Sequence, residues 1–386
     1  MSFRGGHDMN TMSPCLSCSS LRWRALPGWP RQAMLSDGRS IIASLEKEEC
    51  RNCGLMRHIS SPSQEEIEAI FSQDYALHAR LTNSIFEDQR QRIYAEWILD
   101  LLRDRKVNSV FEIGAGTGSL MAELQRRAPS WRLKGVEPVP AAVSHRTADL
   151  DIERGLLRDI DTRSLKVDVV LSVNVIEHVH NPLEFLQQSK MALTDDGCIV
   201  VICPDGDRPT TEMLIYDHIH SFTSRAIEGI AKSADLAVID RQTAPPALGA
   251  FQAILLARGF SKWVAPRMAD DLFERRMRLF SCWQKLDDAL YERIRDCPNL
   301  WAFGGGENAQ LLRAYAPNTW NKVRGILADS AGFFDARPIT RYEAASASRA
   351  RTVLLAVRPE IQIAVAQRLI NDGNSIIRWD DLVPSF

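Results

Sequence analysis

Two Cys-x-x-Cys pairs, Cys15-Leu16-Ser17-Cys18 and Cys50-Arg51-Asn52-Cys53, stand early in the chain. Each pair can form a tight knuckle that aims two sulfurs at one point, and four thiolates suit tetrahedral zinc. Four protein ligands leave no open coordination position. Cys15, Cys18, Cys50 and Cys53 are therefore expected to hold a structural Zn2+. A redox pair would not need a second copy, and disulfides are rare in a cytosolic chain. Gly54 helps the second knuckle turn. The spacer of 31 residues contains Pro27, Gly28 and Pro30, so a loop or hairpin is expected between the knuckles.

The second stretch with chemistry is Val110-Phe111-Glu112-Ile113-Gly114-Ala115-Gly116-Thr117-Gly118-Ser119. An apolar strand runs into a Gly-x-Gly-x-Gly turn, and a helix follows. Glycines let the backbone reverse and let a ligand come close. The N–H groups that open the helix point at the same place. The dinucleotide fingerprint would put its third glycine at 119, where this chain has Ser119. Glu137 follows Gly118 by 19 residues, at the end of the next expected strand. A carboxylate there can accept both hydrogen bonds of a ribose diol.

Two further clusters remain. Asn174-Val175-Ile176-Glu177-His178-Val179-His180-Asn181-Pro182 follows a strand, and Asn181-Pro182 is a good helix start. Glu177 and His178 are expected to brace that loop against a ligand. Tyr216-Asp217-His218-Ile219-His220 follows a later strand. Histidine has the pKa best suited to a general base near neutrality, and Asp217 could orient it. His218, Asp217 and Tyr216 are the candidate catalytic residues. Thr223 or Ser221 is expected to cap the helix over 224–235.

These residues need a frame. Apolar strands are expected at 108–113, 132–137, near 153–157, at 168–173 and at 198–203, with helices between them. A strand over 249–257 could close the sheet. That alternation implies a parallel, doubly wound α/β sheet with ligands at the carboxyl ends of its strands. Glu112, Gly114, Glu137 and Asn174 fall on that edge. Residues 64–79 read as a short helix and a linker ending near Tyr75, an amphipathic helix is expected over 86–103, and a long helix over 267–295. A second strand, glycine-turn and helix unit follows at Leu300–Tyr315, with strands at 323–328, 353–357 and 375–378 and a helix at 359–372. Its strand-end acid is Asp329. The expected division is a zinc module at 1–85, with a loose tail over 1–14, a central domain at 86–258 and a Rossmann-like α/β domain at 259–386.

The chain has 386 residues, is 45% hydrophobic and carries a net charge of −2. That balance offers no overall basic field for nucleic acid. No apolar run is long enough to span a bilayer and no leader pattern is visible, so a cytoplasmic protein without membrane partners is expected. The oligomeric state is open.

The glycine turn with Glu137 resembles the class I S-adenosylmethionine-dependent methyltransferases. The run from Asn174 to Pro182 resembles their Asn-x-x-Glu-His-x-x-x-Pro loop. The resemblance implies S-adenosyl-L-methionine as cofactor, held by Glu112, Gly114, Gly116, Gly118, Glu137, Asn174, Glu177 and His178. It implies a Rossmann-like methyltransferase core. From Cys15 to Pro384 the order of parts is similar to the zinc-containing nucleotide-sugar C-methyltransferases of deoxysugar biosynthesis. Those enzymes deprotonate a 4-keto sugar on a nucleoside diphosphate and methylate the enolate. Their segment Tyr-His-Glu-His-Leu-Ser-Tyr-Phe sets its Glu on Asp217 and its second His on His218. Ile215 and Ser221 stand where that family has tyrosines. The resemblance implies a small-molecule acceptor, a nucleotide sugar, methylated on carbon or on a hydroxyl with a His base. The alternatives are an RNA methyltransferase using Arg22, Arg24, Arg31, Arg39, Arg51 and Arg57, or a non-enzymatic scaffold of the same fold.

Overall fold

The computed structural model describes residues 13–71, 75, 85–144, 150–260, 263–335, 337–343 and 350–384. The expected tail at 1–14 and the linker before residue 85 fall almost wholly outside these residues.

The central sheet forms because its strands are continuous apolar runs that can be covered on both faces. Every residue of β6 (Ser109–Ile113) is buried, as are residues 197–204 of β10 (Leu193–Pro204). The sheet has seven strands in the order β12-β13-β10-β9-β6-β7-β8. Here β7 is Arg132–Glu137, β8 is Asp151–Arg154, β9 is Val167–Val173, β12 is Ala237–Thr243 and β13 is Phe251–Ala257. The run from β10 to β8 is parallel, and β13 lies antiparallel between β10 and β12. Chain order reverses between β6 and β9, which opens a crevice at the carboxyl end of β6.

Some boundaries differ from expectation. The third strand lies at 151–154, not 153–157, and the long helix begins at Leu272. Strand β12 was not expected at all, because Asp240, Arg241 and Gln242 interrupt its apolar pattern.

The amino-terminal module is a four-stranded sheet in the order β1-β4-β5-β11. Strands β1 (Trp23–Ala25), β4 (Lys47–Cys50) and β5 (Met56–His58) belong to the module, and a small hairpin of β2 (Ala33–Met34) and β3 (Ser40–Ile41) fills the spacer. The edge strand β11 (His220–Ser221) comes from the loop after β10, with His220 opposite Arg57 and Ser221 opposite Met56. The expected boundary at residue 85 therefore does not isolate the module.

The carboxyl-terminal unit is a six-stranded sheet, β16-β17-β15-β14-β18-β19. Strands β14 (Leu300–Phe303), β15 (Val323–Ala328), β18 (Thr352–Leu355) and β19 (Ser375–Ile377) lie where the pattern put them. Strands β16 (Gly332–Phe334) and β17 (Arg337–Arg341) were missed, since β17 is a mostly exposed Arg-Pro-Ile-Thr-Arg run. One apolar core joins this unit to the module. Met34, Leu45, Met213, Leu214, Tyr216, Trp283 and Tyr315 all belong to it. Burying each such large side chain is worth about 1.5–3 kcal/mol, so the core fixes the two units around residues 213–219. The helix Leu272–Ile294 adds a polar tie. Its fully buried Arg276 donates to Glu49 at 2.9 Å, to the Gly54 carbonyl at 2.8 Å and to the Gly206 carbonyl at 2.6 Å.

Candidate active site

The glycine turn adopts the conformation its residues were read to require. Gly114, Gly116 and Gly118 have φ of 74°, 55° and 79°. A Cβ on Gly114 would come within 2.5 Å of Val175, so a side chain there is excluded by space as well. Glu137, at the end of β7, accepts the N–H of Gly116 and that of Val139, each at 2.8 Å. It thus ties the turn to the neighbouring strand. Burial pushes its carboxyl up to about 6, against these two hydrogen bonds.

A cleft of about 450 Å³ opens over this edge. Glu112, Gly114, Gly116, Glu137, Asn174 and His178 line it. The other two residues expected at the cofactor, Gly118 and Glu177, do not line it. Gly118 starts the helix Ser119–Arg127, and Glu177 is 1% exposed in the loop after β9. The opposite wall carries no site motif. It is built by Ile67 and Glu68 of the helix Gln64–Ile70, by Phe71 and Tyr75, and by Arg90 and Tyr94 of the helix Ile85–Leu101.

The cleft has free acceptors at its strand ends. Among the described residues Glu112 Oε2 and Asn174 Oδ1 are buried without hydrogen-bond partners. Burial pushes the Glu112 carboxyl up to about 8, and the Glu137 charge adds to the shift. Asn174 holds a left-handed φ of 56°, which a short polar side chain tolerates. Unpaired buried acceptors are costly, so a bound group carrying N–H donors would relieve them. The amino group of S-adenosylmethionine meets that need, and Glu137 could accept from its ribose. The residues present fit that cofactor.

The three candidate catalytic residues do not line the cleft. His178 does, and its ring meets that of His218 edge-on with centroids 4.8 Å apart. The expected Asp217–His218 partnership is replaced by a different pairing. Fully buried Asp217 accepts from the Ser36 N–H at 2.7 Å and from the Ser36 hydroxyl at 2.5 Å. Its partner on the imidazole side is His178, with Nδ1 3.5 Å from Oδ2. His218 instead points Nδ1 at Glu212 Oε2, 3.0 Å away. Glu212 lies in the short turn Thr211–Leu214, outside every sequence motif. Burial works against a charge on His218. The hydrogen bond and charge of Glu212, with Glu177 and Asp217, nevertheless hold its proton affinity above the ordinary value. Burial drives His178 the other way, down to about 4. Tyr216 is buried, which pushes its phenol up to about 12.

The four knuckle sulfurs lie within 4.8 Å of one another. Cys15 and Cys53 Sγ are 3.5 Å apart, as are Cys18 and Cys50 Sγ, so the contacts run between knuckles. Zinc bonded at about 2.3 Å sets tetrahedral sulfurs about 3.8 Å apart. The thiol set fits Zn2+ and leaves no position for substrate. Three of the six module arginines pair with carboxylates: Arg24 with Glu49, which it shares with Arg276, Arg39 with Asp37 and Arg57 with Glu48. In the carboxyl-terminal unit Asp329 pairs with Arg368 at 2.8 Å. Among the described residues no helix is long and apolar enough to cross a membrane.

The central sheet and the cleft at its carboxyl edge form a Rossmann-like core, and part of the chain matches a methyltransferase family. Residues 86–241 match the methyltransferase domain family, a family of enzymes. The chain is 28% identical over 166 residues to an uncharacterized 37.1 kDa protein of transposon TN4556 from Streptomyces fradiae. That match covers 41% of this chain and 47% of the relative, so the chain spans about half the length of the curated protein it resembles. Among solved structures it is similar to the mitomycin 7-O-methyltransferase MmcR at 15% identity, over 50% of this chain and 66% of that one, with a TM-score of 0.37. The plantazolicin methyltransferase BpumL, in complex with SAH, matches at 14% identity over 52% and 92%, with a TM-score of 0.38. The CcbJ methyltransferase from Streptomyces caelestis matches at 13% over 44% and 90%, with a TM-score of 0.36.

Proposed function

We propose that this chain transfers a methyl group from S-adenosylmethionine to a carbon or hydroxyl of a sugar carried on a nucleoside diphosphate. The observation that carries the transfer reaction is a single cleft lined by the glycine turn, Glu137 and His178. The bound cofactor supplies a methyl group on a cationic sulfur. Glu137 and the turn hold and orient it, and Glu112 and Asn174 accept from its polar end. The acceptor lies against the wall of Phe71, Tyr75 and Tyr94. Bringing acceptor and methyl into line accounts for much of the rate.

An acceptor that reaches past His178 to the His218 imidazole gives its proton to that ring as its electron pair bonds the methyl carbon and the sulfur–carbon bond breaks. Nδ1 carries a proton toward Glu212, which leaves Nε2 free as the base. His178, in edge contact with His218, is neutral near pH 7 and adds no competing charge. Support for a nucleotide-linked acceptor comes from the second Rossmann-like sheet, whose core is continuous with the segment bearing His218.

The test is incubation of the full chain with methyl-labelled S-adenosylmethionine and a panel of keto and non-keto nucleotide sugars, read by mass spectrometry. Methyl gain on a panel member, but not on the free sugar, is expected. Cofactor binding without transfer to any member would overturn the acceptor assignment. Absence of cofactor binding would overturn the reaction class.

A further inference from the structure

Five consecutive backbone carbonyls, from Leu214 to His218, each accept a hydrogen bond from a side chain outside the segment. Tyr315 donates to Leu214 at 2.6 Å. Lys47 Nζ donates to Ile215 at 3.0 Å and to His218 at 2.9 Å. His58 Nε2 donates to Tyr216 at 2.8 Å, and His178 Nδ1 donates to Asp217 at 2.7 Å. Backbone carbonyls of a surface loop are ordinarily left to water. Here donors from the zinc module, the methyltransferase core and the carboxyl-terminal unit converge on one segment.

Lys47 is the costly member. It is 1% exposed, and a buried ammonium must be compensated by hydrogen bonds and opposite charge. The carboxylates of Glu212 and Asp217 provide that charge. A neutral donor could satisfy the carbonyls more cheaply. Lys47 stands directly across the β4–β5 ladder from His58, so the two donors share one register. The same strand ends at Cys50. A rigid path therefore runs from the metal knuckle along β4 to Nζ, and from Nζ to the residue that carries the base.

We propose that Lys47 is a positioning residue for methyl transfer, tying the zinc-bearing sheet to the carbonyls of Ile215 and His218 and so fixing where the His218 imidazole stands. The proposal rests on the reading of His218 as the base. Lys47 touches neither cofactor nor acceptor. Its effect is on orientation, where a misplacement of about 1 Å can cost about 100-fold in rate.

The test uses the full-length, zinc-loaded chain and Lys47→Met, which keeps the bulk and removes donor and charge. Zinc content and S-adenosylmethionine affinity by calorimetry are expected to stay as in the parent. With the acceptor found in the nucleotide-sugar panel, kcat is expected to fall about 100-fold with KM little changed. Imidazole nitrogen NMR on histidine-labelled protein, with the His218 signal assigned through His218→Gln, gives a reading that needs no acceptor. In the parent, at a pH above the raised titration of His218, the ring is expected in the Nδ1–H form. In Lys47→Met that signal is expected to give way to a tautomer mixture. Parental kcat, or an unchanged His218 signal, would overturn the proposal. If the parent methylates nothing, the functional reading fails while the NMR comparison still decides the role of Lys47. If Lys47→Met loses zinc and cofactor binding together, Lys47→Gln, which keeps an amide donor, is put through the same measurements.

Discussion

Glu137 accepts the amide N–H of Gly116 at 2.8 Å, so the strand-end acid and the glycine turn form one unit before any ligand arrives. Its other oxygen is held by the Val139 N–H. Each oxygen keeps a second lone pair, which a ribose diol can use. Glu137→Ala therefore removes a brace and a ligand together. Hydrogen bonds to a charged group are worth about 1.5–3 kcal/mol. The expected result is a weakening of S-adenosylmethionine binding by about 10- to 100-fold in titration calorimetry. An unaltered affinity would exclude the ribose assignment.

Glu112 makes the stability of the ligand-free chain depend on pH. Burial, then the Glu137 charge, lift its carboxyl from 4.5 to about 8. Between those values the folded chain holds a proton that the unfolded chain has lost. Stability contributed by this group therefore falls as pH rises through that window. Glu112→Gln is expected to flatten the decline of the thermal midpoint between pH 5 and pH 8. An equally steep decline in the variant would assign the effect to other groups.

The central sheet was readable because its strands are buried on both faces and so are spelled as apolar runs. The cleft at the sheet's carboxyl edge was readable because Gly114, Gly116 and Glu137 are forced by backbone geometry and by strand ends. Three things were not. Strands β12 and β17 lie at or near sheet edges, where polar residues are tolerated and periodicity fades. The far wall of the cleft, from Ile67 to Tyr94, uses ordinary apolar and charged residues with no motif. The partner of His218 was assigned by adjacency to Asp217, yet the backbone turns Asp217 toward Ser36 and brings Glu212 in from six residues upstream. Neighbours in sequence are a poor guide to contacts inside an irregular segment.

Zinc removal has a predicted reach beyond the knuckles. Cys53 is bonded through its carbonyl to the Thr223 hydroxyl at 2.5 Å, and Thr223 caps the helix Ser224–Ser233. A structural zinc site contributes about 10 kcal/mol or more to the fold that it closes. Cys53→Ser is expected to bind less than one zinc per chain, to melt at a lower temperature and to lose turnover. Metal analysis and calorimetry check this together. A metal-free variant with the parental melting temperature would contradict a structural role.

With His218 as the proposed base, Glu212 is expected to set the pH at which it acts. A general base works only when unprotonated, so the acid limb of kcat follows the proton affinity of His218. Glu212, bonded to Nδ1 at 3.0 Å, keeps that affinity above the ordinary value of 6.5 despite burial. The acid limb of the parent is therefore expected above 6.5. Glu212→Gln removes the charge and keeps the shape, so its limb is expected at lower pH, with a smaller maximum rate because the imidazole is a weaker base. His218→Ala is expected to keep cofactor affinity and to lose about 100- to 10,000-fold in turnover, the usual range for a general base. The two variants separate the roles. A limb that stays in place in Glu212→Gln while His218→Ala is inactive would leave His218 as base but deny Glu212 its control. A fully active His218→Ala would move the search to His178, the imidazole that lines the cleft.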